Sequence, residues 1–431
     1  MKKSVDKIIG RVTRQRGANG ERKVLQKINI HLTGEQAKKW NPARGTEFVA
    51  VETQDGIFLR PANPPLTKIY LEPTLNCNLR CRTCMRNSWD EPSGDMPMET
   101  YSRLLRGLKN VQTFQTLAFW GFGEPLMHPQ IVEMIRMARK QGIKTELISN
   151  GMLLNRELAG ELVEAGLDTI VFSIDGTTPE SYSGVREGSS LSAVLENVKG
   201  LRDARIMKFR RNPEIGIEYV LMKSNLPDLA NIIPLAREME AGFIILTNLL
   251  PYVESMKDEI LYWLAASGIF PAARSKWHPE IILPRFDTRP ENMKYLKELI
   301  EHSAASGYQP DRNSRAEGSC PFVRKGSAAV SWDGKVSPCV ALMHSYTCYV
   351  LGREKKMLRH TVGDVSAESM TEIWNREEYS RFRERVMEFD FSPCVGCGGC
   401  DMSETNGEDC IGSPFPTCGD CLWAKGVIVC P

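Results

Sequence analysis

No stretch of this 431-residue sequence stays apolar for the length a membrane crossing needs; the most apolar run, Phe243 to Tyr252, is about as long as one buried strand with its loop. The first residues, Met1-Lys2-Lys3-Ser4-Val5-Asp6-Lys7, lack the apolar stretch and small-residue cleavage site of a secretory signal. Both absences point to the cytoplasm and to no membrane partner. A content of 42% hydrophobic and 25% charged residues excludes a disordered chain, and the length favours two or three domains. The net charge of +2 hides an asymmetry: residues 1–44 hold twelve Lys or Arg against three Asp or Glu, or +9, which leaves −7 for the rest. A basic arm of that kind is either a solvated face or a surface for an acidic partner.

A reducing compartment also excludes a disulfide framework for the 13 cysteines, so closely spaced pairs are read as metal or cluster ligands. Ten of them lie beyond Gly318. From Thr67 to Tyr252, short apolar segments at 68–72, 116–120, 145–148, 169–174, 215–221 and 243–246 alternate with stretches of helical periodicity. This is the pattern of an α/β fold, a partial (β/α)6 TIM-like barrel two units short of closure. The divisions expected are a small β-rich domain over 1–62, the barrel over 67–252, a helical connector over 253–315 and a cysteine-rich iron–sulfur domain over 316–431. The last is poor in apolar periodicity, and cluster ligation would supply the stability it lacks.

Past the first strand stands Cys77-Asn78-Leu79-Arg80-Cys81-Arg82-Thr83-Cys84, three thiols in one eight-residue loop. Three ligands on a four-iron cluster leave one iron open, and an open iron can chelate an amino group and a carboxylate. A zinc knuckle would use similar spacing. The second strand is followed by Gly121-Phe122-Gly123-Glu124-Pro125, where glycine allows close backbone approach and a carboxylate can receive an ammonium group. The third strand ends in Ser149-Asn150-Gly151 and the fourth in Ser173-Ile174-Asp175-Gly176, small polar side chains suited to hydroxyls and a carboxylate. Arg186, beyond the fourth strand, pairs either with a ligand carboxylate or in a surface salt bridge. His128 has no neighbouring metal donors and reads as a loop residue.

With these motifs in this order the chain resembles the radical S-adenosylmethionine (SAM) superfamily. The resemblance implies a [4Fe-4S] cluster on Cys77, Cys81 and Cys84 that cleaves SAM to an adenosyl radical. It implies that Gly123 and Glu124 meet the methionine amino group, and that Ser149, Asn150, Ser173, Asp175 and Arg186 surround the ribose and carboxylate. It also implies a low-potential electron donor of ferredoxin or flavodoxin type. The residue before the third cysteine is usually aromatic in this superfamily and is Thr83 here, which leaves the adenine contacts open.

Cys320, Gly334 with Cys339, and Cys394-Val395-Gly396-Cys397 resemble the SPASM-type auxiliary domain of peptide- and protein-modifying members, which carries two further [4Fe-4S] clusters. Cys320, Cys339, Cys394, Cys397, Cys400, Cys410, Cys418, Cys421 and Cys430 are the candidate ligands, and Cys348, without a near partner, is the first candidate spare. Structural zinc remains open for these pairs. Residues 418–431, together with Thr247-Asn248-Leu249-Leu250-Pro251, are similar to the cofactor-modifying maturases of tungsten-containing aldehyde ferredoxin oxidoreductases. That implies a client oxidoreductase; the alternatives are a peptide substrate for thioether, carbon–carbon or formylglycine formation, or, in another class, an iron–sulfur electron carrier or redox-responsive DNA binder. Segments 28–32, 45–51 and 56–60 resemble the swapped hairpin of bacterial transition-state regulators (AbrB-like), although nucleic acid is not the expected partner.

Overall fold

Six segments rich in β-branched and aromatic residues, buried on both faces, form the central sheet. In the computed structural model the described residues are 63–109, 111–266, 279–304, 320–396 and 400–430, with the backbone of short strands elsewhere. Five of those strands precede the sheet: β1 (Lys7–Gly10), β2 (Val12–Thr13), β3 (Ile28–His31), β4 (Phe48–Thr53) and β5 (Gly56–Pro61). β1 runs antiparallel to β3, and β4 lies between β2, parallel to it, and β5, antiparallel. The side chains on which a swapped hairpin or a basic face would depend lie outside the described residues.

The barrel strands are β6 (Lys68–Leu71), β7 (Thr116–Phe119), β8 (Lys144–Ser149), β9 (Thr169–Ser173), β10 (Glu214–Leu221) and β11 (Phe243–Asn248), paired in parallel in that order. They follow the six segments expected from the sequence. Helices α1 (Met98–Leu108), α2 (Ile131–Lys140), α3 (Arg156–Ala165), α4 (Pro179–Val185), α5 (Leu191–Met207) and α6 (Ile232–Glu238) cross between them. α1 buries Tyr101, Leu104, Leu105 and Leu108, and α2 buries Ile131, Met134, Ile135 and Ala138, the i, i+3, i+4, i+7 stripe that seats a helix on a sheet. The Asn155 side chain accepts a hydrogen bond from the Leu158 N–H at the start of α3. Asn155→Ala is expected to cost about 1 kcal/mol, read as a lower urea midpoint with no change of slope.

The sheet continues past the barrel at both edges. The connector expected to be helical holds α7 (Pro290–Ala304), but also β12 (Ala273–Arg274) and β13 (Glu280–Leu283), which pairs parallel with β11. Glu-Ile-Ile-Leu, half β-branched, is too short to favour a helix and pairs with the sheet edge instead. On the other side, after a single helical turn at Pro321–Arg324, β14 (Ser327–Val330) pairs parallel with β6. β15 (Lys335–Ser337) and, further on, β18 (Gly363–Asp364) follow antiparallel, while β16 (Tyr346–Val350) and β17 (Arg353–Met357) form a separate hairpin. Gly326 makes the β14 junction possible: at φ +67°, a Cβ there would sit 1.8 Å from the Pro65 carbonyl oxygen. The cysteine-rich region is thereby hydrogen-bonded into the barrel's own sheet. Among the described residues no helix is long and apolar enough to cross a membrane.

Candidate active site at the strand ends

The three thiols of the first loop are partly exposed and unpaired. The Arg86 Nε donates to Cys84 Sγ at 3.4 Å, and Arg186 Nη1 lies 3.9 Å from Cys81 Sγ. Burial pushes the Cys81 thiol up to about 11 against the opposing charge of Arg186, and Asp175, Cys84 and Cys77 add to the rise. Among the described residues no three His, Cys, Asp or Glu side chains converge as ligands of a single ion would. A four-iron cube takes its thiolates at separate corners, so thiols that neighbour one another without converging suit it, and three of them leave a corner open.

Glu124 is buried, and its carboxylate is gripped from both sides. Oε1 accepts from the Leu126 N–H (3.0 Å) and the Ser149 hydroxyl (2.8 Å), and Oε2 accepts from the Asn150 N–H (2.8 Å). Burial raises its pKa while these hydrogen bonds oppose the rise. Ser149 and Asn150, expected at the ribose, thus act on Glu124 in this structure; the Asn150 side chain also donates to Asn78 Oδ1 in the cluster loop at 2.9 Å. Gly123 has no room for a side chain, since its Cβ would fall 2.2 Å from the Thr74 carbonyl oxygen under that loop. Glycine here lets the second strand end lie directly against the thiol loop.

Ser173 and Asp175 are placed differently. Ser173 lies in register with Glu218 on β10 and is half-buried. Asp175 is fully buried, accepts from the Val220 N–H at 2.9 Å and pairs with Arg186 at 2.8 Å. The surface salt bridge considered for Arg186 is a buried one, because the loop after α4 folds back over the strand ends. His128 is a buried loop residue with its ring nitrogens bonded to Met96 and Gln130.

Sequence spacing alone did not partition the other cysteines. Cys320, Cys339, Cys418 and Cys421 act electrostatically on one another and their pKa values are raised by burial. A cavity of about 40 Å³ is lined by Cys339, Cys418 and Cys421 together with Cys348, Tyr346 and Trp423. Cys348 lines the same cavity and interacts with Cys421. Cys394 neighbours Cys410, whose Sγ lies 2.9 Å from the Ser392 hydroxyl, and Cys400 is exposed. Cys397 lies outside the described residues.

Cys430 stands apart from both groups. The Thr247 hydroxyl accepts from the Val429 N–H (2.9 Å), and Asn248 Nδ2 donates to the Val427 carbonyl (2.8 Å). The two segments singled out in the sequence, 247–251 and 418–431, are therefore bonded to each other at the end of β11. This holds the Cys430 thiol under the Trp423 indole N–H (3.2 Å) and within the field of Glu218, Lys68 and Lys325.

The sequence matches the Radical SAM superfamily over residues 71–233 and the SPASM iron-sulfur cluster-binding domain over residues 320–401. It is 30% identical over 369 residues, 84% of this chain and 96% of the relative, to the tungsten-containing aldehyde ferredoxin oxidoreductase cofactor-modifying protein of Pyrococcus furiosus. The chain belongs to the radical SAM superfamily. This radical SAM enzyme is also 23% identical, over 81% of its length and 84% of the relative, to the AdoMet-dependent heme synthase of Oleidesulfovibrio alaskensis. Its fold is that of anSMEcpe with bound AdoMet, at TM-score 0.52 and 18% identity over 84% of this chain and 96% of that one. Streptococcus suis SuiB bound to precursor peptide SuiA gives TM-score 0.52 and 14% identity over 78% and 70%. Membership in the superfamily implies a [4Fe-4S] cluster and SAM, and the SPASM domain implies auxiliary iron–sulfur clusters.

Proposed function

We propose that this radical SAM enzyme is a maturase acting on a tungsten-containing oxidoreductase or its cofactor, with three four-iron clusters. The likeness to the Pyrococcus furiosus protein along nearly its whole length supports the client class. The observation that carries the reading is the grouping of Cys320, Cys339, Cys418 and Cys421, the last three lining one cavity, in a chain whose barrel also presents three thiols on one rim loop.

Cys77, Cys81 and Cys84 would hold the catalytic cluster, Cys320, Cys339, Cys418 and Cys421 one auxiliary cluster, and Cys394, Cys397, Cys400 and Cys410 another. Cys348 and Cys430 are left over. When bound, the catalytic cluster supplies the electron that cleaves SAM to an adenosyl radical. Glu124, with a single donor on Oε2, retains acceptor capacity for the methionine ammonium. Arg186, beside Cys81, would hold the SAM carboxylate, and Ser173 the ribose. A ferredoxin- or flavodoxin-type protein is the electron donor. The peptide-modifying alternative rests on likeness of fold and on sequence likeness over less than half of the chain.

Iron and labile sulfide per chain, measured with zinc on the same anaerobically reconstituted sample, test this reading. About twelve iron atoms are expected for three four-iron clusters, falling by about four in Cys81→Ala and by about four in Cys418→Ala. About four iron with bound zinc would turn the cysteine-rich region into a structural zinc module and remove the main support for a maturase.

A further inference from the structure

Strand β10 sorts its residues by parity. Ile215, Ile217, Tyr219 and Leu221 are fully buried against the helices, whereas Glu218 and Val220, on the opposite face, are only half-buried. That opposite face looks into the barrel. Register partners in a parallel sheet point the same way, and Glu218 is in register with Ser173 on β9 and Ile245 on β11. Val220 is in register with Thr247, the residue that anchors Val429 beside Cys430. Glu218 therefore stands on the chamber wall between the Asp175–Arg186 pair on one side and the closing segment on the other.

Its electrostatic surroundings are defined on each neighbouring element. Asp175 and Arg186 act on it from the end of β9 and the loop after α4. Tyr70 on β6 and Cys430 on the closing segment are in turn perturbed by it. No hydrogen bond or ion pair joins the Glu218 carboxyl to another described side chain. Burial, with Asp175 adding and Arg186 opposing, pushes its pKa up to about 7. A carboxyl group on the inward face of the strand, held near neutrality and without a hydrogen-bond partner among the described residues, has the properties of a general base.

We propose that Glu218 accepts the proton that the substrate releases in the barrel chamber. This rests on the reading above that the enzyme modifies a client oxidoreductase or its cofactor. A substrate C–H bond breaks with its hydrogen atom going to the adenosyl carbon. As the carbon radical bonds to a neighbouring N–H, O–H or S–H group, that group's proton passes to the Glu218 carboxylate and one electron passes to an oxidised auxiliary cluster. Glu218 acts in its ionised form, so client modification rises with pH through about 7.

The test uses the reconstituted full chain, SAM, dithionite and, as client, the apo form of a tungsten aldehyde oxidoreductase made in cells lacking this gene. Modified client per 5′-deoxyadenosine is measured by mass spectrometry, alongside difference infrared spectra between pH 6 and pH 8. Glu218→Gln is expected to lower that ratio roughly 100-fold or more. Glu218→Asp is expected to keep activity with a displaced acid limb. The carboxylic C=O band lost by the wild type between the two pH values should be missing from the Gln variant. A Gln variant that modifies the client at the wild-type ratio overturns the proposal. If the wild type cleaves SAM yet leaves this client unmodified, the client assignment fails; the infrared result still decides Glu218, and identical difference spectra for wild type and Gln variant would overturn it.

Discussion

Raising the pH from about 6.5 to above 9 is expected to cost the folded protein roughly 3 kcal/mol through one side chain, His344, an order-of-magnitude figure from its shift in pKa. The ring is fully buried, with Nε2 2.9 Å from Glu72 Oε2 and Nδ1 2.6 Å from Glu91 Oε2. Burial alone would lower its pKa, but the hydrogen bonds and charges of the two carboxylates outweigh burial and lift it to about 9. A neutral imidazole has one donor nitrogen and would leave one of these contacts without a proton. Because the folded pKa exceeds the unfolded one, the stabilisation is complete below about 6.5 and disappears as pH climbs through about 9. Glu91 works in the opposite sense: burial pushes its pKa up, the His344 contacts and the Ser345 N–H outweigh that and pull it down, so its contribution is lost only as pH falls below the ordinary carboxylate range. Urea midpoints of wild type and His344→Gln, compared anaerobically at pH 6 and pH 9, isolate this one group. The variant should be weaker at pH 6, and the gap should shrink at pH 9. A constant gap would mean that the ring is held as a neutral hydrogen-bonding group.

The same network explains what a sequence reading reaches and what it does not. Three thiols in eight residues, a glycine-glutamate-proline turn and small polar residues at strand ends are local patterns, and locality makes them readable. Their neighbours come from far along the chain. His344 meets Glu72 across 272 residues, and Trp89 and Phe122 pack on its ring. Cys320 and Cys339 join Cys418 and Cys421, while the intervening Cys394 and Cys410 form a different neighbourhood, an order that Cys-x-x-Cys spacing does not encode. Glu218 was invisible for another reason. In the sequence it is one acid within a strand, and only its register with Ser173 shows that it faces the chamber. The edges of the sheet were missed because β13 and β14 are four residues each and take their identity from the long strands they pair with. Aromatic neighbours of Cys430, by contrast, could have been suspected from Trp423 lying seven residues before it, since only a compact turn brings that indole N–H onto the thiol.

Arg186→Met is expected to destabilise the protein by roughly 3–5 kcal/mol, because it strands a carboxylate that has nowhere to find water. The Asp175 side chain has 0% exposure and that of Arg186 11%, at a separation of 2.8 Å. Backbone contacts compensate only in part: Val220 N–H bonds Oδ1, while the guanidinium faces Oδ2. The cost belongs to the orphaned charge more than to the lost attraction, so removing both charges should be milder than removing one. Asp175→Asn with Arg186→Met should recover most of the lost urea midpoint, giving a coupling energy of opposite sign to the single losses. If the double variant is as weak as the sum of its parts, the pair is not the reason the strand end is stable. Function separates from stability at the next atom. Arg186 Nη1 is also 3.9 Å from Cys81 Sγ and opposes the burial that raises that thiol. Without it Cys81 gives up its proton less readily, and ligation by iron requires the thiolate. The double variant loses Arg186, which lowers the thiol's pKa, and Asp175, which raises it by less, so it should reconstitute its first cluster somewhat more slowly than wild type at pH 7 and approach the wild-type rate as pH is raised. A double variant that loads iron at the wild-type rate at pH 7 would confine Arg186 to holding Asp175.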